Sequence, residues 1–553
     1  MIIKMQHLDL LCVAADKENT LTKLRELGVV HLDLASAQGA DVAAAKGEAA
    51  DAEKAVRAIL KARADLKLAG AKSTRTSLTV AEVLSLVDDI DGKKADAEAL
   101  KREIAVYAPF GDFDPELAQK LLDKGIDLAS VATLPAKLPR KRLSALEADR
   151  DALDRSIAEA MAKLADADEA AILASFPELG DRIAFAAAKE LMSESGSVAY
   201  VSGWVPETLV GKLKACVSEN GWGILLRAPA EGETPPTLVE PPKLFRPMKA
   251  LFAGLGIAPA YVEDDVSVPF MCYFSLFFAM LVGDGAYGAI FLLITFLMRK
   301  KLPKSWLTLL TVFSLATIAW GTLSNTWFGA GIPACADWPT VRWLGDVTYK
   351  NIMFLCFTIG VSHLMLARLW NGVCRLPDST AIAEFGWAGV LLFMYFVTNS
   401  LVGIFASVPS FMMWVFVASL VLVFGFSVKP KELKTNGIAL GMLPLNIMSA
   451  LGDIISYVRL FAVGLASVKV AENFNSMALG LVSGDNPLWL NALLSVGTVL
   501  ILVAGHALNL AMAALSILVH AVRLNTLEFS NHKGVSWAGY AFSPFKTNKE
   551  TEK

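Results

Sequence analysis

Polar and apolar residues are unevenly divided along the chain. Residues 1–260 are rich in Ala, Lys, Glu and Asp, whereas residues 268–528 are mostly apolar. The pattern predicts a soluble half followed by a membrane half. In the first half, residues 1–34 read as strand, helix, strand, and residues 197–227 repeat that order. Residues 105–134 read as a third small α/β piece: VYAPFG, a helix DPELAQKLLDKG, then DLASVATL. Between these pieces, residues 36–106 and 143–193 carry helical spacing, the first stretch interrupted by KSTRTS at 72–77. Two long polar helices in opposite directions, with α/β units at both ends, predict an antiparallel coiled-coil arm over 1–265. A solvated spacer and a strut whose lobes dock other subunits are compatible readings.

Apolar runs follow at 268–298, 306–328, 351–370, 382–405, 411–428, 438–482 and 488–522. Basic residues cluster at 299–304 (RKKLPK), at Arg368 and Arg375, at 429–434 (KPKELK) and at the end, with Arg523, Lys533, Lys546 and Lys549. Connections rich in Lys and Arg face the cytoplasm. The first run must then cross an even number of times, so it divides into two short helices turning at Gly283, Asp284 and Gly285. Asp284 is placed to cap the second of them. Every later run crosses once, which predicts an eight-helix transmembrane domain over 266–530 and a cytoplasmic tail over 531–553. The last two runs would measure roughly 65 and 54 Å as straight helices, against a hydrocarbon core of about 30 Å. They are predicted to break or to tilt strongly, with Pro444 the candidate break in the first.

Composition narrows the function. The net charge is -3, so no bulk basic charge calls for nucleic acid. Mean hydropathy is +0.48. The start, MIIKMQHLDLLCVAADKEN, meets acidic residues before any adequate apolar core, so the soluble half is expected to stay cytoplasmic. Six cysteines (12, 216, 272, 335, 356, 374) are scattered without a CxxC, which reads as buried thiols rather than a disulfide or zinc framework. No P-loop, post-strand GxGxxG, HExxH or GxSxG occurs in the soluble half. Catalytic residues, metal ligands and cofactors are therefore not expected.

The two long apolar runs hold the candidate chemistry. Arg459 sits deep in the first, where a charge costs a few kcal/mol, and nothing at i±3 or i±4 neutralises it. At 3.6 residues per turn its face carries Gly452, Ser456, Ala462, Ala466, Val470 and Asn473, small enough for another helix to approach closely. On the last helix Asn509, Ser516, His520 and Arg523 form one stripe. It reads either as a wetted half-path or as interhelical hydrogen bonding. Arg523 lies near the cytoplasmic end, where it can also snorkel. Glu528 reaches Arg523 at i+5 only if the helix distorts. Lys469 either extends to the interface or meets Glu472 at i+3.

These residues resemble a known family. SYVRLFAVGLA (456–466) and GHALNLAMAALSILVHAVRLNTLEF (505–529) resemble the a/I subunit of V-type and archaeal-type rotary ATPases. So do LGVVHLDL, GWVP (203–206), GDGAYG (283–288), WFG (327–329) and FSPFK (542–546). The resemblance implies a stator arm anchoring peripheral-stalk subunits, with the soluble catalytic head coupled indirectly. It also implies two ion half-channels set against a rotating proteolipid ring whose subunits each carry a carboxylate. The essential arginine maps onto Arg459 and its partner onto Arg523. Some relatives have a glutamate where this chain has Ala513 and a histidine where it has Ser467, so those roles are not carried over. The short external loops favour a prokaryotic plasma-membrane version. A stand-alone secondary transporter with a regulatory arm is the alternative; it predicts internal membrane repeats with paired broken helices, and no such symmetry is visible.

Overall fold

A computed structural model describes residues 1–66, 76–124, 138–346, 348–428, 441–481 and 488–547. The expected DLASVATL strand, most of KSTRTS, the basic KPKELK connection, the 483–487 connection, the start of the 438–482 run and Lys549 lie outside the described residues. The chain is mostly helical. It divides into two compact units, Met1–Met5 with Pro229–Phe542, and Gln6–Ala228 with Ser543–Lys553.

The second of these units begins with strand β1 (Met5–Val13) and helix α1 (Lys17–Leu27). It continues with α2 (Ala40–Asp65), α3 (Val80–Tyr107), α4 (Pro115–Asp123), α5 (Leu143–Ala165), α6 (Glu169–Leu173) and α7 (Phe176–Leu191). It ends with β2 (Ser193–Ser195), β3 (Val198–Pro206), α8 (Val210–Asn220) and β4 (Gly223–Arg227). One sheet runs in the order β2-β3-β1-β4, with β1 and β4 antiparallel and His7 opposite Arg227. The α/β pieces near 1–34 and 197–227 therefore fuse into a single lobe around Leu8, Leu10, Leu21, Leu24, Val30, Val201, Val205 and Leu213. Residues VVHLDL do not form the expected second strand; only His31 bridges Trp204, by reciprocal 2.8 Å backbone bonds.

The expected pair of long helices is interrupted in both directions. The outgoing arm is α2 and α3; the returning arm is α5, α6 and α7, with α3 packed on α5 and α2 on α7. The return breaks where Asp168 caps the Ala170 N–H and Pro177 enters the first turn of α7. Arg63 bridges the break by donating to the carbonyls of Ala165 and Ala167, each at 2.7 Å. Ala52, Ala55, Ile59, Val83, Ile90 and Leu164 bury together there, because alanines let the helices approach closely. VYAPFG is not a strand either: its first residues end α3 and Ala108–Phe110 form a 3-10 turn, while α4 occupies the expected helix.

The other unit holds α9 (Met248–Leu255), α10 (Ser267–Val282), α11 (Gly285–Leu297), α12 (Lys304–Leu323), α13 (Pro339–Leu344), α14 (Lys350–Arg375), α15 (Thr380–Leu401) and α16 (Ser410–Phe426). A broken pair, Leu443–Ile455 and Val458–Leu479, and a last helix from Leu488 to Lys533 complete it. Among the described residues five helices are long and apolar enough to cross a membrane, and a sixth if the α10–α11 pair, bent by 117°, is one span. Eight crossings require both legs of that pair, and the shorter α16, to span as well.

The bend is built by Gly283, at φ +71°, and Asp284. One Asp284 carboxylate oxygen accepts the Ala286 N–H at 2.8 Å as a helix cap, and the other accepts the Gly329 N–H at 2.8 Å. GDG and WFG, distant in sequence, are thus tied together. Gly321 of α12 lies so close that a Cβ there would come within 2.0 Å of the Gly285 nitrogen. Of the cysteines only Cys12 and Cys356 are buried; Cys272 and Cys374 are exposed.

Candidate functional site

Arg459 stands just after the break in the Leu443–Leu479 pair. The break does not fall at Pro444, which occupies the first turn of Leu443–Ile455, where a missing N–H is tolerated. It falls at Ser456 and Tyr457. The N–H groups of Tyr457, Arg459 and Leu460 each bond the carbonyl three residues back, at 3.1, 3.3 and 3.0 Å, a tighter winding than the α-helix. The Arg459 Nε–H also donates to the Ser456 carbonyl at 2.9 Å, and the Ser456 hydroxyl to Gly452 at 3.0 Å. Tyr457 is fully buried, its ring filling the space left by Gly360, and its hydroxyl lies 2.8 Å from His363 Nδ1.

The last helix is α-helical to Ser516 and then carries two π-helical segments, Ile517–Ala521 and Leu524–Phe529. A π turn holds an extra residue, so i and i+5 share a face. The Ser530 hydroxyl donates to the Asn525 carbonyl five residues back at 2.8 Å. Glu528 consequently meets Arg523, with Oε1 3.4 Å from Nε. The same oxygen accepts from Arg459 Nη2. Arg459 therefore has an internal carboxylate partner, contrary to the view from its own helix. The Glu528 side chain is 4% exposed, Arg459 20% and Arg523 55%. Two cations and one anion meet at the helix break, and Glu528 Oε2 is buried without a hydrogen-bond partner among the described residues.

No family model matches this chain. Individual proteins do. It is 32% identical to V-type ATP synthase subunit I of Borreliella burgdorferi, over 65% of this chain and 62% of that protein's length. It is 28% identical to V-type ATP synthase subunit I 1 of Treponema pallidum, over 99% of this chain and 100% of that protein. A-type ATP synthase subunit I of Methanocaldococcus jannaschii is 24% identical over 77% of this chain and 66% of its own length. The chain is thus similar, over 99% of its length in the Treponema pallidum case, to proteins named subunit I of V-type and A-type ATP synthases.

In this chain the stripe expected on the last helix does not share one environment. Asn509 is fully buried: it donates to the Ser467 carbonyl at 2.8 Å and to the Tyr287 hydroxyl at 3.0 Å, and accepts from the Ser467 hydroxyl at 3.2 Å. These are interhelical bonds. Ser516 and His520 are half-buried, and His520 Nδ1 has no hydrogen-bond partner among the described residues. The first π segment begins at Ile517, after Ser516, so only His520 and Arg523 depart from the uniform 3.6-residue period. On the Arg459 face Gly452, Ala462, Ala466 and Asn473 are exposed. Lys469 meets Glu472 at 2.7 Å.

Two polar clusters escaped the sequence reading. His506 Nδ1 lies 2.8 Å from the Tyr287 hydroxyl and Nε2 3.2 Å from Asn475 Oδ1. On the other side of Arg459, His532 Nε2 lies 3.0 Å from Asp453 and its Nδ1 accepts from Arg368 Nε at 3.1 Å. Glu384 then pairs with Arg368 at 3.1 Å and with Arg375 at 2.9 Å. A buried charge needs a partner, which is the signal that points from Glu384, near the start of the 382–405 apolar run, to a basic neighbour.

Proposed function

We propose that this chain is the membrane stator subunit of a rotary V/A-type ATPase or ATP synthase. It is an integral membrane protein and a non-catalytic, ion-translocating subunit. The observation that carries the reading is Arg459, mostly buried at a helix break with small exposed residues on its face, in a chain similar over 99% of its length to a protein named V-type ATP synthase subunit I 1.

Eight crossings place both ends on the cytoplasmic side of a prokaryotic plasma membrane. The unit built from residues 6–228 anchors the peripheral stalk, and the Arg459 face meets the proteolipid ring. Guanidinium stays charged at any relevant pH. A ring carboxylate passing Arg459 is held ionised, because a nearby cation favours its charged form. The ion, proton or sodium, must leave through one half-channel and be replaced from the other, so passage requires rotation. Lysine, which loses its proton more readily when desolvated, makes a poorer barrier. Arg459→Ala and Arg459→Lys are expected to abolish ATP-driven ion uptake into membrane vesicles while the complex still assembles. Uptake at a near-normal rate in either variant would refute the role.

A further inference from the structure

The charges around Arg459 do not balance. Arg459 and Arg523 supply two cations and Glu528 one anion, in a place where Glu528 is buried and Arg459 nearly so. Both guanidinium groups reach the same oxygen, Oε1, and Oε2 has no hydrogen-bond donor among the described residues. A buried carboxylate held for structure alone normally satisfies both oxygens. Arg459 itself commits Nη2 to Glu528 and Nε to Ser456, out of five N–H donors. The cluster is one negative charge short, and its arginines keep donors in reserve.

We infer that Glu528 is an exchangeable counter-ion. It neutralises Arg459 when no rotor carboxylate is present and shares the arginine pair when one arrives. The site then holds two arginines and two carboxylates, and its charge is zero. As the rotor carboxylate leaves, Glu528 takes back Arg459, so the departing group is not required to strip a bare buried cation. The inference rests on the proposed stator function and assigns Glu528 a positioning role within it. No bond is made or broken, and no proton is lost from Glu528.

Charge arithmetic gives the test, run on membrane vesicles carrying the whole complex and normalised to assembled complex. The measurement is ATP-driven ion uptake, by dye quenching for protons or radioactive sodium for sodium. Glu528→Gln raises the site to two positive charges and is expected to slow uptake about tenfold or more, since charged hydrogen bonds are of that strength. Arg523→Gln leaves Arg459 fully neutralised by Glu528 and is expected to lower uptake as well. Combining the two substitutions restores one net positive charge and is expected to recover most of the Glu528→Gln loss. A carbodiimide, which labels protonated carboxyl groups, should modify the ring subunit more slowly in Glu528→Gln than in the combined variant.

Normal uptake in Glu528→Gln overturns the inference. So does a loss that the second substitution fails to repair, whether in rate or in assembly, because that marks Glu528 as merely structural. Arg459→Ala in the same vesicles separates the two levels. If it still pumps, the stator reading itself fails; if it is inactive while Glu528→Gln is normal, only the counter-ion role fails.

Discussion

At the scale of single residues, what decides a role is the partner, and partners lie far away in sequence. Arg459 looked uncompensated because its own helix offers only Asp453 and Glu472, neither on its face. The compensating carboxylate is Glu528, 69 residues on. Asn509 reads from the sequence as channel lining or interhelical pairing, and the structure gives it bonds to Ser467 and Tyr287. His31 shows the same principle outside the membrane segments. It is buried beside the Ser543 backbone, and burial holds its imidazole below the ordinary histidine value, the Ser543 carbonyl opposing that shift. In the unfolded chain it titrates near 6.5. Below that pH the unfolded state binds a proton that the folded state refuses, so stability is full above about pH 6.5 and declines beneath it. Denaturant melts of the protein between pH 5 and 7.5 should show this decline, and His31→Gln should flatten it.

At the scale of elements, hydrophobic pattern located the helices well, and local departures from ideal winding set their chemistry. The spacing places the α10–α11 turn at Gly283–Gly285, and the helices end and begin there. It does not reveal the two π segments of the last helix. Those arise from competition between backbone and side-chain bonds such as Ser530 to Asn525, and they move His520 and Arg523 off the Asn509 face. Nor does it place the break before Arg459, which depends on Tyr457 docking against Gly360 of another helix. Close backbone approach explains the glycine at 321. Gly321→Ala would put a methyl group into the Gly285 backbone, and neither chain segment has a flexible end to yield. A loss of about 1–3 kcal/mol is expected from overpacking, read as a lower thermal midpoint of the detergent-purified protein. An unchanged midpoint would mean that the two helices separate without cost.

At the scale of the whole molecule, composition predicts a division into a polar part and an apolar part, because polar and apolar stretches partition into different solvents. Its outcome in three dimensions differs in detail. Residues 229–265, assigned to the arm by composition, cluster with the membrane unit. The chain end returns to the other unit, where Phe545 is 4% exposed within the lobe core and its N–H bonds the Val30 carbonyl at 2.7 Å. Phe545→Ala should therefore destabilise the lobe by about 3–5 kcal/mol, the usual cost of emptying a buried aromatic site. Limited proteolysis of residues 6–228 in the full chain, faster in the variant, checks it.

Taken alone, the sequence determined which stretches are helical, which stretches are apolar enough for a membrane, and that Arg459 and Arg523 are its unusual charges. Those properties follow from local periodicity and from the cost of placing a charge in hydrocarbon. Only the tertiary structure decided that Glu528 stands between the two arginines, that GDG is tied to WFG through Asp284, and that the first and last α/β pieces of the arm form one sheet. Each of these joins residues whose separation in sequence says nothing about their separation in space. Hydrogen bonds and ion pairs are short-ranged, so such contacts exist only once packing has brought the elements together.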